Sequence, residues 1–468
     1  MKQSEYRKLS AVELTTGVRD GLFSNKEVFE AFRLAAEADK SGDLPLNSLI
    51  SVNDSPQFSD GPLAGLPMLY KDSINTSELP TTVGSIVFEN APAAEDADVV
   101  RVLRGFGAVT AAKANLSEWA NFRGHSSISG WSAAGGQCRN PHDRLRSPGG
   151  SSAGSAVAVA AGIVPVSIGS ETDGSVICPA SVSGVFGFKP SHGVISTKGM
   201  APISPSQDTV GIFARSVQDI ELIFSQFSTP ENFSGSAFFD LGSTSVGLLA
   251  TGYSGYSVKG DALLSKFIDR LSSSINFIDG ADRKAETVLD VNGEDEVNLL
   301  RYEMYHALPV YLKSRRVSGL ASMEDLIEAN RSNAEAELSL FGQEHLEESV
   351  AVSKMSNDEF EALRERHIGG MRRKIDSVLE KSGANFILTL SMGPSWLIDD
   401  VNGDVISGSG YSPAAVAGYP SLNIPIGKVA GLPVGAVIYG PMGSDWKLLG
   451  LAKAIVDVAG LRVEARAE

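Results

Sequence analysis

Residues 146–156 read RSPGGSSAGSA, with three glycines and four serines in eleven positions. An alanine- and valine-rich run, SAGSAVAVAAG, follows, then VPVSIG (164–169) and ETDGSVICPA (171–180). A helix of about eleven residues spans roughly 16 Å. A strand of six spans roughly 20 Å. If helix and strand run antiparallel, Ser151 and the turn at 172–175 return to the same edge of the fold. Two Gly/Ser turns then face each other across one small site. This pattern predicts an α/β core, and several kinds of chemistry could occupy it.

A phosphate loop needs a Lys directly after its second glycine, so that backbone amides and ammonium share the phosphates; none follows here. Gly150-Ser151-Ser152-Ala153-Gly154 satisfies the G-x-S-x-G nucleophile turn centred on Ser152, which calls for a His late in the chain. The last of six histidines, His367, lies in a charged helical stretch instead. Ser444-Asp445-Trp446-Lys447 matches the S-x-x-K of another serine–lysine site, without its K-T-G partner. The stretch could also be a tightly packed helix start without chemistry. Facing it, Thr172-Asp173-Gly174-Ser175 forms a turn whose successive N–H groups can converge on one oxygen. A serine needs a base. Lys71 ends the apolar run LPMLYK, where desolvation would lower its pKa and let it accept a proton.

The bulk properties fit an ordinary globular protein. The chain has 468 residues, 43% of them hydrophobic, and a net charge of −16. That balance excludes the basic footprint that nucleic acid or an anionic membrane requires. Two cysteines, Cys138 and Cys178, are no disulfide framework and fit a reducing compartment. The first residues, MKQSEYRKLSAVELTTG, lack the apolar run of a signal peptide, so a cytoplasmic location is expected. The longest uncharged run, 147–170, holds prolines and many small residues and reads as buried helix plus strand rather than a membrane span.

Helical spacing is expected at 9–38 and 96–104, a turn feeding a short strand at 62–71, a strand beginning within 108–116 and a strand at 386–390. Residues 293–380 are charge-rich with helical periodicity, ending at a capping Gly383. No linker marks a boundary. The expectation is one domain over 1–468, with a helical elaboration at roughly 225–380.

PGGSSAGSA (148–156), GSETDGSVICPA (169–180) and LYKD (69–72) resemble three signature blocks of the amidase signature family. The 24-residue step from Ser151 to Ser175 agrees, as do GFKP (187–190), SQDTVGIFARSV (206–217) and AGYPSLNIPIG…GLPVGAVIYGP (417–441). The resemblance covers nearly the whole chain. It is nearest to the peptide amidase branch, through KANLSEWANFRG (113–124), SGWSAAGGQCRNP (129–141) and MEDLIEANRSNAEAELSLFGQEHLE (323–347).

The resemblance implies a large mixed β-sheet covered by helices on both faces, and a Ser–cis-Ser–Lys triad with no metal and no organic cofactor. Carried over, Ser175 is the nucleophile, Ser151 the bridging serine after a cis Gly150–Ser151 peptide, and Lys71 the base. Thr172, Asp173 and Gly174 would serve the oxyanion hole, and Ser152 would support the geometry. Phe122, His125 and Trp131 are candidates for the substrate pocket. The implied activity is hydrolysis of a linear carboxamide, a peptide C-terminal amide or a related amide. Alternatives are fatty-acyl, aryl or N-acyl amides, a glutaminase subunit of an amidotransferase, or an inactive scaffold, against which the retention of all three triad residues argues. Many members read T-G-G-S-I-R around the nucleophile. Here Asp173 differs, and Ile177 and Cys178 stand where others place Arg, which weakens the glutaminase reading. Cys178 reads as a packed small hydrophobe rather than a second nucleophile.

Overall fold

A computed structural model describes residues 2–89, 91, 93–229, 241–250, 255–315 and 317–466. In chain order its strands are β1 (Leu49–Val52), β2 (Pro67–Lys71), β3 (Val109–Ala114), β4 (Trp131–Ser132), β5 (Gly136–Gln137), β6 (Val166–Glu171), β7 (Phe186–Lys189), β8 (Thr209–Ala214), β9 (Ser245–Leu248), β10 (Asn276–Ile278), β11 (Phe386–Leu390), β12 (Ser421–Val429) and β13 (Leu432–Tyr439). Eleven of them form one sheet in the order β1-β3-β2-β6-β8-β7-β12-β13-β11-β9-β10. The short β4 and β5 pair separately. The sheet is mixed: β2 runs parallel to β3 and β6, β9 to β10 and β11, and the other pairs are antiparallel.

Side chains alternate across a strand. In β11, Phe386, Leu388 and Leu390 join one apolar core, while Ile387 joins a second. In β13, Val434, Ala436 and Ile438 go with the first and Val437 and Tyr439 with the second. Both faces of these central strands are therefore covered, which explains their near-continuous apolar sequence. The first core takes in the N-terminal helices, the helix Ala153–Ala160 and the last helix, Asp445–Ala459. The second takes in the helices of the middle of the chain, Gly293–Arg315, Met323–Ser332 and Gly370–Ser382. The expected large mixed sheet with helices on both faces is observed.

Local signals set the helix ends. Ser10 with Glu13 and Ser24 with Glu27 form reciprocal capping boxes at the starts of Ala11–Arg19 and Asn25–Glu37. Gly383 ends Gly370–Ser382 in a left-handed conformation, φ 75°. The stretch read as a helical elaboration, roughly 225–380, also contains β9 and β10, which widen the sheet at one edge. Strands of three and four residues are too short to show a period of two. Residues 230–240, 251–254 and 316 of that stretch lie outside the described residues. No helix among the described residues is long and apolar enough to cross a membrane.

Candidate active site

The parallel pairing of β2 with β6, through Leu69 with Ser167 and Tyr70 with Ile168, brings Lys71 beside the end of β6. The helix Ala153–Ala160 returns along β6 and is stapled to it by its serines. Ser155 Oγ donates to Ile168 O at 3.1 Å, and Ser167 Oγ to Ser155 O at 2.8 Å. Ser152 Oγ donates to Ser170 O at 2.9 Å and accepts from Ser170 N at 3.1 Å. The serine richness of 146–156 thus ties helix to strand and fixes where the preceding turn ends.

That turn meets the turn after β6. Ser151 Oγ lies 2.9 Å from Ser175 Oγ, and Lys71 Nζ lies 2.6 Å from Ser151 Oγ. Ser175 is 8% exposed, whereas Ser151 and Lys71 are fully buried, so an incoming molecule meets the row at Ser175. The Gly150–Ser151 peptide is cis. A Cβ at Gly150 would lie 2.3 Å from Ser117 Oγ, so a side chain there would displace Ser117. Gly174 has φ 78°, and a Cβ would lie 2.1 Å from the Tyr411 ring. Only glycine fits this corner before Ser175.

Burial pushes Lys71 down to about 7, against the pull of Asp208 and Glu171. Two further oxygens hold its nitrogen: Ser170 Oγ at 3.0 Å and Ser170 O at 3.4 Å. A neutral amine has two N–H donors and one lone pair. With Ser170 accepting the donors, the lone pair faces the Ser151 hydroxyl.

The turn itself is braced by two carboxyls that sequence reasoning did not single out. Glu171 accepts the amides of Val176 at 2.7 Å and Ile177 at 3.0 Å, at the start of the helix Ile177–Ser183. Asp208 accepts the Thr172 hydroxyl at 2.6 Å and the amides of Ile203 and Ser204 at 2.9 and 3.0 Å. Burial raises Asp208 to about 7. Asp173 is buried near Ser412 and Glu296, and burial raises its carboxyl well above the usual range. Cys178 is buried and its thiol is pushed up to about 12, chiefly by desolvation, as a packed small hydrophobe would be.

The three candidate pocket residues separate. Phe122 stacks on His345 with ring centroids 4.4 Å apart, and Trp131 meets Phe341 edge-on at 5.2 Å, with Arg123 over its ring. His125 lines a cavity of about 290 Å³ with Asn121, His345, Asn402, Asp404 and Ile406. Asn121 was not anticipated. It ends a run of three non-glycine residues, Trp119, Ala120 and Asn121, held at φ 47°, 54° and 66°. The sequence carries no signal for such a run. Ser117, two residues before it, donates its amide to Ser151 O at 3.0 Å, so the run abuts the Lys71–Ser151–Ser175 row.

Among the described residues, His125, His345 and Glu348 form the one cluster with metal-like spacing, their ligand atoms within 4.8 Å of one another. Arg301 Nη2 already lies 3.2 Å from His125 Nε2 and 3.1 Å from His345 Nδ1, and it also bonds Glu348. A guanidinium in that space repels a cation.

The amidase family model matches residues 49–239. A probable amidase of Arabidopsis thaliana is 35% identical over 414 residues, covering 86% of this chain and 78% of that protein. A glutamyl-tRNA(Gln) amidotransferase subunit of Deinococcus radiodurans is 30% identical, over 97% of this chain and 98% of that one. Among solved structures, the native peptide amidase from Stenotrophomonas maltophilia superposes with a TM-score of 0.85 at 34% identity, covering 97% of this chain and 98% of the other.

Proposed function

Because the chain belongs to the amidase family and is an amide C–N hydrolase, we propose that it cleaves linear carboxamides of the peptide C-terminal amide class, with Ser175 as nucleophile, Ser151 as bridge and Lys71 as base. The observation that carries this reading is the unbroken contact row Lys71–Ser151–Ser175, which reaches solvent only at Ser175. Neutral Lys71 takes the Ser151 proton, Ser151 takes that of Ser175, and Ser175 Oγ attacks the amide carbonyl. Amides at 172–175 hold the oxyanion. As the C–N bond breaks, Ser151 returns a proton to the leaving amine. Water then enters by the same relay and releases the acid from the acyl-enzyme.

The peptide amide class is supported by the likeness to peptide amidase along nearly the whole chain. Ile177 and Cys178 are buried apolar side chains just beyond Ser175, so no guanidinium stands there to receive a carboxylate such as that of glutamine. The deciding experiment measures ammonia release from amidated dipeptides, glutamine, long-chain fatty amides and aryl amides. The expected result is a kcat/KM for amidated dipeptides at least about tenfold above the rest, the worth of one good recognition contact. Glutamine as the best substrate, or activity appearing only with partner subunits, would replace this reading with the glutaminase one.

The relay needs no metal. Prolonged chelation should leave the rate unchanged. A loss restored by added zinc would overturn the mechanism.

A further inference from the structure

The mechanism leaves one pair of acids beside the nucleophile unused. Asp173 stands two residues before Ser175. Its Oδ1 is shielded from solvent and has no hydrogen-bond donor beside it. The same is true of Oε1 of Glu296, in the first turn of the helix Gly293–Arg315. The two side chains are close neighbours. Two buried acceptors, each without a donor, therefore lie close together. As two carboxylates they would repel. With one proton between them, the contact becomes a charge-assisted O–H···O bond.

The surroundings favour that proton. Burial raises both groups, and the Glu296 charge raises Asp173 further. Glu171 adds a third carboxyl nearby. Lys189 is the facing cation, from β7. The Tyr411 hydroxyl and the Cys178 thiol, from the other flanking elements, are both raised by burial. Asp295, the neighbour of Glu296, is taken by Arg366 at 2.6 and 2.8 Å. Neutral donors complete the cluster. Ser412 stands beside Asp173 and Gln207 beside Glu296, and Gln207 Nε2 donates to Thr172 O at 3.4 Å.

We propose that Glu296 is a positioning residue: a proton it shares with Asp173 ties the first turn of the helix Gly293–Arg315 to the turn that presents Ser175. The inference rests on the reading of Ser175 as nucleophile. It gives the middle of the chain a part in the chemistry, through the placement of the oxyanion amides.

The test compares Glu296→Gln and Glu296→Ala on an amidated dipeptide with its amino end blocked and, in parallel, free, with kcat and KM followed across pH. Glutamine donates an N–H to Asp173 and does not titrate. Glu296→Gln should keep most of kcat and lose the alkaline limb that the wild-type enzyme shows as the pair gives up its proton. Glu296→Ala should lose about tenfold to hundredfold in kcat, as a misplaced reacting group does, with KM little changed. Equal losses in both variants, or an alkaline limb unchanged in Glu296→Gln, would overturn the proposal. So would a loss confined to KM for substrates with a free amino group, which would make the pair an ammonium site. An electrophilic phosphonate applied to the wild-type enzyme separates the two levels of inference. Labelling away from Ser175 defeats the underlying reading, whereas labelling at Ser175 leaves the Glu296 kinetics to decide this one.

Discussion

Replacing Ser175 by Ala is expected to lower kcat by about 10⁴-fold or more, the usual cost of removing a nucleophile whose partners then have nothing to activate. That corresponds to roughly 5.5 kcal/mol of transition-state stabilisation. The fold should survive. Ser175 Oγ has Ser151 as its hydrogen-bond partner and sits at the one point of the row open to solvent. Its loss leaves no buried charge and a cavity of a single oxygen. Circular dichroism and the thermal midpoint should stay close to wild type while hydrolysis disappears, and a phosphonate that labels the wild-type enzyme should fail to label the variant. The competing residue is Ser152, centre of the G-x-S-x-G match. Its hydroxyl is bonded to both backbone groups of Ser170, and it is fully buried. Phosphonate recovered on Ser152 would defeat the assignment.

The second large effect concerns Lys71. With its pKa near 7, the amine is neutral above that value and protonated below it. A protonated amine has no lone pair for Ser151. The rate should therefore rise with pH through about 7 and fall about tenfold per unit on the acid side. Lys71→Ala should lose most of the rate and with it that acid limb. Lys71→Arg should not rescue, since guanidinium stays charged at any working pH. If Lys71 served only as a positive charge near the serines, the Arg variant would keep much of the activity and the limb would persist. Paired pH–rate profiles of the two variants separate these accounts, and a folded, largely active Arg variant would end the base assignment.

The contact row Lys71–Ser151–Ser175 was legible because each part leaves a local trace. A Gly/Ser turn, a small-residue helix and a short strand fix by length alone where Ser151 and Ser175 return. Lys71 closes an apolar run that reads as a short strand, where a lysine can be drawn inward. The residues that steady this arrangement leave no such trace. Glu296 meets Asp173 from a helix far along the chain, and an acid in a helix's first turn ordinarily reads as a solvated cap. Asp208 lies inside a block that resembles the family, yet nothing in its neighbours shows that its carboxyl will take the Thr172 hydroxyl. Phe122 and Trp131 show where the sequence runs out. Aromatic residues near glycines suggest a pocket, but whether a ring faces a ligand or another ring depends on His345 and Phe341, which arrive from over two hundred residues away. β9 and β10 were lost in helical texture because three or four residues cannot display alternation.

The strand order carries a consequence for the protein as it is made. β1, β3, β2, β6, β8 and β7 are neighbours in the sheet and come from one continuous stretch of chain, Leu49 to Ala214. The other five sheet strands come from a second stretch, Ser245 to Tyr439. The two halves join at a single seam, where Lys189, Phe188 and Gly187 of β7 pair with Ser421, Leu422 and Asn423 of β12. A nascent chain therefore holds the complete Lys–Ser–Ser row in its first half while β7 still presents an open, apolar edge. That edge stays uncapped until residues 421–423 have left the ribosome, and an uncapped edge is where one chain adds to another. The interval between synthesis of β7 and of β12 is when this polypeptide most needs a chaperone, and slowing translation between them should lower the soluble yield without altering the enzyme that does fold.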